Sequence, residues 1–431
     1  MKGNKAMKKF ISAFLSVILA MTFAIGIPLD GMRAEAGIAM TSYADDTPLE
    51  KQMLPYLYSK LSDSEKSVYL KLRKASLNHE RTLTVKTSMD EETIERIIDV
   101  LFYEDPLSFN VNMFSYVIYS KKVEFKISYI FNDESIQKML KKMDAVANKV
   151  ISKFDEKTST YNKILYIHDF LIDRTEYDES LNSAHSAYGA MVQGKGVCEA
   201  YARAFGYICA KAGIRTVNVV GTGSNGGGTE NHMWNRVYYN KKWYDIDLTW
   251  DDPVTPIVGY KSYRYFMPGS EAFSKTHKPG LTTLTYPAAT KDTSMSYYVK
   301  KKLVASDNSS GYSLMVSQIA KAAKNGRYYA EVKFQSKKAL ASFENYIEAN
   351  DYEKLFKICE AADKKTKAKI VMPYNWDADE DSCTITVFFI VKNTSIYDYF
   401  TDLSQVSSQL IDMFDKAGVD TTKKSGNKKA A

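Results

Sequence analysis

Cys198, His232 and Asp247 are the residues whose types and spacing could do chemistry. A thiol, an imidazole and a carboxylate suffice for nucleophilic acyl transfer. The thiolate attacks, the imidazole moves the proton, and the carboxylate orients the imidazole. Cys198 follows Gly194-Lys195-Gly196-Val197 and opens a predicted helix over 198–212. A thiol there meets the positive end of the helix dipole and unpaired backbone N–H groups, which favour the thiolate. The N–H of Cys198 also points where an oxyanion would form. The glycines permit a tight turn and leave the sulfur uncovered.

His232 and Asp247 fall on two predicted strands, 232–239 and 242–250, joined near Tyr239-Asn240-Lys241. A two-residue loop at 239–240 puts them directly opposite each other. A turn shifted by one residue makes them diagonal neighbours on the same face. Either way their Cβ atoms fall about 5–8 Å apart. That spacing suits an imidazole whose tautomer a carboxylate fixes. Taken singly, each residue has a plainer reading: a core thiol, a satisfied strand histidine, an aspartate capping a turn. The glycine-flanked cysteine and the symmetric His/Asp pair are separate coincidences, and together they favour the catalytic reading.

Positioning these groups needs an α+β fold in which the Cys198 helix packs on the His/Asp sheet. At 431 residues the chain exceeds one ordinary core. Residues 51–150 read as an N-terminal α+β domain. Its predicted helices surround Leu54–Leu72 and cover Glu91–Phe102 and Ser135–Phe154, and its strands are Ser115–Ser120 and Val123–Ile130. Residues 155–290 are the catalytic candidate. A helix over Tyr161–Ile172 precedes the Cys198 helix, and Gly213 stands at its left-handed cap. A strand over 215–220 and a glycine-rich loop over 221–231, read equally as a lid or as a plain flexible connection, lead to His232. Residues 297–415 form a C-terminal α+β domain. Its predicted strands are 328–334, 368–374 and 382–392, and its helices 337–349 and 396–414. Residues 416–431 read as a basic disordered tail.

The blocks Gly196-Val197-Cys198-Glu199-Ala200-Tyr201, Ala212-Gly213-Ile214, His232-Met233-Trp234-Asn235-Arg236-Val237 and Trp243–Pro253 closely resemble the bacterial transglutaminase-like domain. Tyr177-Asp178, and Tyr265-Phe266 ahead of Phe273 and His277, agree with it. The resemblance is strong over 155–290, weak over 51–150 through Asp105-Pro106-Leu107-Ser108-Phe109, and says little about 297–431. It implies a papain-like cysteine core in which Cys198 is nucleophile, His232 base and Asp247 third member. Members are protein cross-linkers, peptidases or amidases, and some are inactive. The chain departs from the animal cross-linking enzymes. Glu199 stands where they carry Trp, and no Trp precedes Trp234. Gln193, by analogy with papain-like enzymes, is the candidate second oxyanion donor. His168 is expected in the core, and Trp234 and Trp250 as packing near the site.

The ends of the chain carry the rest. Lys2, Lys5, Lys8 and Lys9 precede an apolar run from Phe10 to about Ile27, and Ala34-Glu35-Ala36 follows. This reads as a signal peptide over 1–36 and a secreted or cell-surface protein. No stable membrane span is expected after its removal. The net charge of +7 divides into +3 in residues 1–36 and +4 in the last nine, so the body is near neutral and nucleic acid is no expected partner. The expected partner is a protein or peptide substrate, with the cell envelope as one source. The four cysteines are too few for a disulfide framework, and Cys198 and Cys209 are too far apart along one helix to bridge. Cys359 and Cys383 are read as two buried thiols, although they could pair. No metal-ligand spacing occurs, and no cofactor is implied. The expected activity is amide-bond chemistry through a Cys198 thioester, by a peptidase, amidase or protein-glutamine acyltransferase. The competing reading is a non-catalytic surface-binding module on the same scaffold.

Overall fold

The computed structural model describes residues 49–422 apart from 133, 225, 226 and 281. The expected signal peptide, and the tail from 423 onward, lie outside the described residues. Among the described residues no helix is long and apolar enough to cross a membrane.

The central sheet has four antiparallel strands in the order Lys242–Ile246, Thr229–Tyr239, Thr216–Ser224 and His277–Pro279. The Cys198–Lys211 helix lies on one face of it. Asn235 and Asn218 of the sheet meet the helix at Ala202 and Gly206. Asn235 Nδ2 donates to the Ala202 carbonyl at 3.0 Å and to Asn218 Oδ1 at 2.7 Å. A Cβ at Gly206 would stand 3.0 Å from Asn218 Oδ1, so the small residue allows the close approach. The helix closes on Gly213, whose φ of 74° is the left-handed cap expected from the sequence.

Residues 51–150 supply the expected helices and hairpin, and beside a small cluster of their own around Ala75, Val111, Ile127 and Tyr129 their larger cores are shared with the central segment. Leu72, Ile94, Ile97 and Phe125 pack with Val217, Val219 and Trp234 of the central sheet. Phe109 and Met139 join the core around Phe205 and Ile208 of the cysteine helix. The three-stranded sheet, ordered Thr82–Val85, Lys122–Tyr129, Val111–Tyr119, turns Val85, Val123 and Phe125 into the core it shares with the central sheet. Asp105 anchors the join. It is buried and takes Arg73 Nε at 2.6 Å, the Tyr69 hydroxyl, and the Leu107 N–H at 2.8 Å.

The C-terminal segment has a core of its own, built on a mixed sheet ordered Val304–Ala305, Tyr329–Phe334, Thr384–Val391, Ile370–Asp379. Several local expectations change. The helix expected over 396–414 is two 3-10 turns, Ile396–Asp398 and Leu403–Gln405, followed by a helix over Ser408–Lys416. Ser395, Asp402 and Ser407 each cap a new start. The start of the expected tail is ordered: Val419 is buried and Asp420 pairs with Ser395. A helix over Asn308–Lys324 appears where none is expected, started by an Asp307–Ser310 capping box.

Candidate active site

Gly194 has φ 74°, and a Cβ on Gly196 would stand 2.4 Å from the Ala200 Cβ. The chain therefore turns sharply and passes close under the helix start. No side chain caps that helix, because its N-cap is Val197. Its first N–H groups are left for an incoming anion. Cys198, the first helical residue, is neither exposed nor fully buried.

The hairpin turns at Asn240-Lys241, with φ of 48° and 63°. Tyr239 pairs with Lys242, and Asn235 with Ile246. This is the expected turn shifted by one residue, so His232 and Asp247 are diagonal. The second strand ends at Ile246 rather than near 250. Its continuation instead folds back, and Asp247 Oδ1 accepts the N–H groups of Thr249 at 2.9 Å and Trp250 at 3.2 Å. Its Oδ2 takes His232 Nε2 at 2.6 Å, with both side chains buried. The glycine-rich stretch is largely sheet: pairing runs on to Ser224 and Thr229.

Electrostatics bind the three groups together. Burial pulls the His232 imidazolium down. The Asp247 charge and hydrogen bond, with a further hydrogen bond and charge from Cys198, overcome this and raise His232 to about 10. Burial pushes Asp247 up, but His232 and then His277 hold it well below the usual carboxylate range. The structure thus brings Cys198, His232 and Asp247 to one place.

Gln193 ends a π-turn over Gly189–Gln193, and its side-chain carbonyl accepts from the Ser183 hydroxyl. Glu199 is held by Arg203, at 2.9 and 2.6 Å, and by His185 Nδ1 at 3.0 Å. His168 is fully buried as expected, but polar-bonded: Nε2 meets Asp251 at 3.2 Å and Nδ1 meets Asp169 at 3.0 Å. All four cysteines are free. Cys359 is buried, whereas Cys383 is only partly covered, because it sits in the turn between two strands with φ 56°.

Two residues near the triad escape sequence reasoning. His277 Nε2 lies 3.0 Å from Asp247 Oδ2, the same oxygen that takes His232. The only signal for it is its place among the flanking matches to the family pattern. Tyr177, opposite Gly196 in a short parallel bridge, has its phenol pushed up by burial and by the charges of Cys198, Glu230, Glu179 and Asp247. Ligand atoms of His232, Asp247 and His277 lie within 4.8 Å of one another, a spacing a metal could use. Each is already hydrogen-bonded to another member, so the three read as a hydrogen-bond chain.

The transglutaminase-like superfamily matches residues 144–248. A mouse kyphoscoliosis peptidase is 25% identical over 170 residues, covering 33% of this chain and 26% of that protein. The chain thus spans about a quarter of the length of that curated relative. A solved structure named a TGase is 14% identical over 39% of this chain and 50% of its own, with a TM-score of 0.24. The periplasmic domain of TgpA from Pseudomonas aeruginosa is 12% identical over 30% of this chain and 55% of its own, with a TM-score of 0.20. With the α+β architecture described above, the family match identifies residues 144–248 as a transglutaminase-like domain within the chain.

Proposed function

We propose that this cysteine-type enzyme is exported and acts on amide bonds of protein or peptide substrates through a Cys198 thioester. The observation that carries the reading is the 2.6 Å contact of His232 with buried Asp247, beside a cysteine at an uncapped helix start. The Cys198 thiolate adds to the amide carbonyl, and the backbone N–H of Cys198 stabilises the oxyanion. Gln193 is the proposed second donor: Ser183 fixes its carbonyl, which leaves the amide N–H end free to turn to substrate. The C–N bond breaks as imidazolium His232 gives its proton to the leaving amine. Neutral His232 then takes a proton from water or from an acceptor amine, which attacks the thioester. Water gives hydrolysis and an amine gives cross-linking.

The test incubates the protein with a glutamine peptide, a labelled primary amine and, separately, a peptide library. Intact mass spectrometry should trap an acyl adduct on Cys198, lost in Cys198→Ala. Amine incorporation selects the transferase, and peptide or ammonia release alone selects the hydrolase. No turnover and no adduct on any substrate would instead favour a binding module on this scaffold.

A further inference from the structure

His277 sits two strands from His232, yet both reach the same carboxylate oxygen. The geometry depends on the strand between them. Gly221 pairs with His232 and Pro279, and Gly223 pairs with Glu230 and His277. With no side chains at 221 and 223, the two imidazoles meet over that strand, their ring centroids 5.4 Å apart. Phe273, Trp234, Trp250 and Tyr265 ring His277 at 4.1, 5.1, 4.4 and 5.3 Å between centroids. Thr276 Oγ1 lies 2.8 Å from its Nδ1. A carboxylate only accepts, so Nε2 of His277 must carry the proton toward Asp247. Its Nδ1 is then left as an acceptor, beside a Thr276 hydroxyl whose one proton is shared between that nitrogen and the Phe273 carbonyl at 3.3 Å.

We propose that His277 is a positioning residue of the active site: its Nε2–H, shared onto Asp247 Oδ2, moderates how strongly Asp247 holds the His232 proton. The inference rests on the triad reading above. Asp247 does not need His277 to stay in place, because Thr249 and Trp250 hold its other oxygen. What His277 changes is the charge that Asp247 presents. A second donor on Oδ2 competes with His232, so the imidazolium gives its proton to a leaving amine more readily. The charged or titratable groups facing His232 are Cys198, Asp247 and His277. Asp251 feels the Asp247 charge, and the Tyr177 phenol feels those of Cys198 and Asp247.

The experiment compares His277→Phe, which keeps a ring in the aromatic cage, with His277→Gln, which keeps an N–H donor, and with Thr276→Val. Each is assayed on an amide and on an activated ester of the same acyl group, across pH. The amide needs a proton from His232 for its leaving group, and the ester does not. In His277→Phe, kcat on the amide should fall by up to about threefold while the ester stays within about 1.3-fold. The alkaline limb of kcat/KM should move up by about half a pH unit. His277→Gln should restore both, and Thr276→Val should shift them the same way by less, which keeps the test open if His277→Phe folds poorly. Equal losses on amide and ester with an unmoved limb, or no change in any variant, would overturn the proposal. Cys198→Ala, run alongside, separates the two failures: if it keeps amide activity, the triad reading itself has failed.

Discussion

A methyl group on Gly223 would stand 2.9 Å from Cζ2 of Trp250 and 3.4 Å from the His232 Cβ and Cγ. The glycine is therefore part of the site, although it carries no chemistry. Its backbone φ is ordinary for any residue, so space and not conformation is what a substitution disturbs. Gly223→Ala is expected to push Trp250 against His277, or His232 off Asp247. Overpacking of this kind costs about 1–3 kcal/mol of stability. The larger effect should be kinetic, with kcat on an amide falling about tenfold or more, as when a catalytic base is misplaced. Comparing kcat with the urea midpoint checks it. Full activity in a folded Gly223→Ala protein would mean that the ring can move freely, and that the crowding has no catalytic meaning.

The four thiols should separate by burial. Cys209 is fully buried and Cys359 nearly so, and burial pushes both thiols up, Cys359 to about 12. Cys198 and Cys383 are partly exposed. In the native protein a thiol reagent should therefore count two groups, and four after denaturation. Peptide mapping after brief iodoacetamide treatment should find Cys198 modified first, and His232→Ala should slow that site without affecting Cys383. If Cys209 reacts as fast as Cys198, the helix start confers no special reactivity.

Much of the site is legible because its partners are close in sequence. A hairpin ties His232 to Asp247 through a register that counting alone gives to within one residue. The single-residue shift has a physical cause, since Asn240 accepts positive φ and draws the turn onto itself and Lys241. His277 is not legible in the same way. It reaches Asp247 through a three-residue strand, His277–Pro279, which is too short to show alternation, paired to glycines more than fifty residues earlier. The Asn308–Lys324 helix hides for a related reason. Gly311 stands in its first turns because a Cβ there would come within 2.7–2.9 Å of Phe334 and Phe343, so packing overrides propensity. The weak likeness over residues 51–150 hides a strong dependence, because most of that sheet's buried residues pack against Val217, Val219 and Trp234, which lie far on in the sequence.

Arg264 ties the segment that carries Cys198, His232 and Asp247 to the C-terminal sheet. Its guanidinium reaches Glu331 at 3.1 Å and Asp379 at 3.1 Å, and Glu331 also takes Thr386 at 3.0 Å and the Tyr298 hydroxyl. The Arg264 and Glu331 side chains are 15% and 7% exposed, so the pair lies out of reach of most screening. Removing the arginine leaves Glu331 uncompensated, and Arg264→Ala should cost about 3–5 kcal/mol. Adding Glu331→Gln should recover part of that loss, because the buried charge goes with its partner. Urea unfolding of the single and double variants measures both. A loss below about 1 kcal/mol for Arg264→Ala would show a screened contact rather than a buried one.

Asp251 and His168 face each other at 3.2 Å with neither side chain exposed, and they set a pH dependence of stability. Burial pushes Asp251 up to about 7 even though His168 and the Tyr265 N–H oppose it. Burial likewise raises Asp252 to about 7 against its bond from Tyr201 at 2.7 Å. For His168 burial works downward, but hydrogen bonds to Asp169 and Asp251 outweigh it and the imidazolium is raised. All three shifts leave the folded chain with more protons than the unfolded chain, whose aspartates ionise near ~4 and histidines near ~6.5. The unfolded state binds fewer protons, so stability falls as pH rises from about 4 through about 8. Asp247 has the opposite sign, but its lowered folded value confines its effect to pH below about 4. Asp251→Asn removes one of the three groups, and the slope of unfolding free energy between pH 5 and 7 should become shallower by about one proton or less. Urea titrations at half-unit pH steps measure that slope. An unchanged slope in the variant would mean that Asp251 is already ionised in the folded protein throughout this range, and that the His168 imidazolium is its permanent counter-charge.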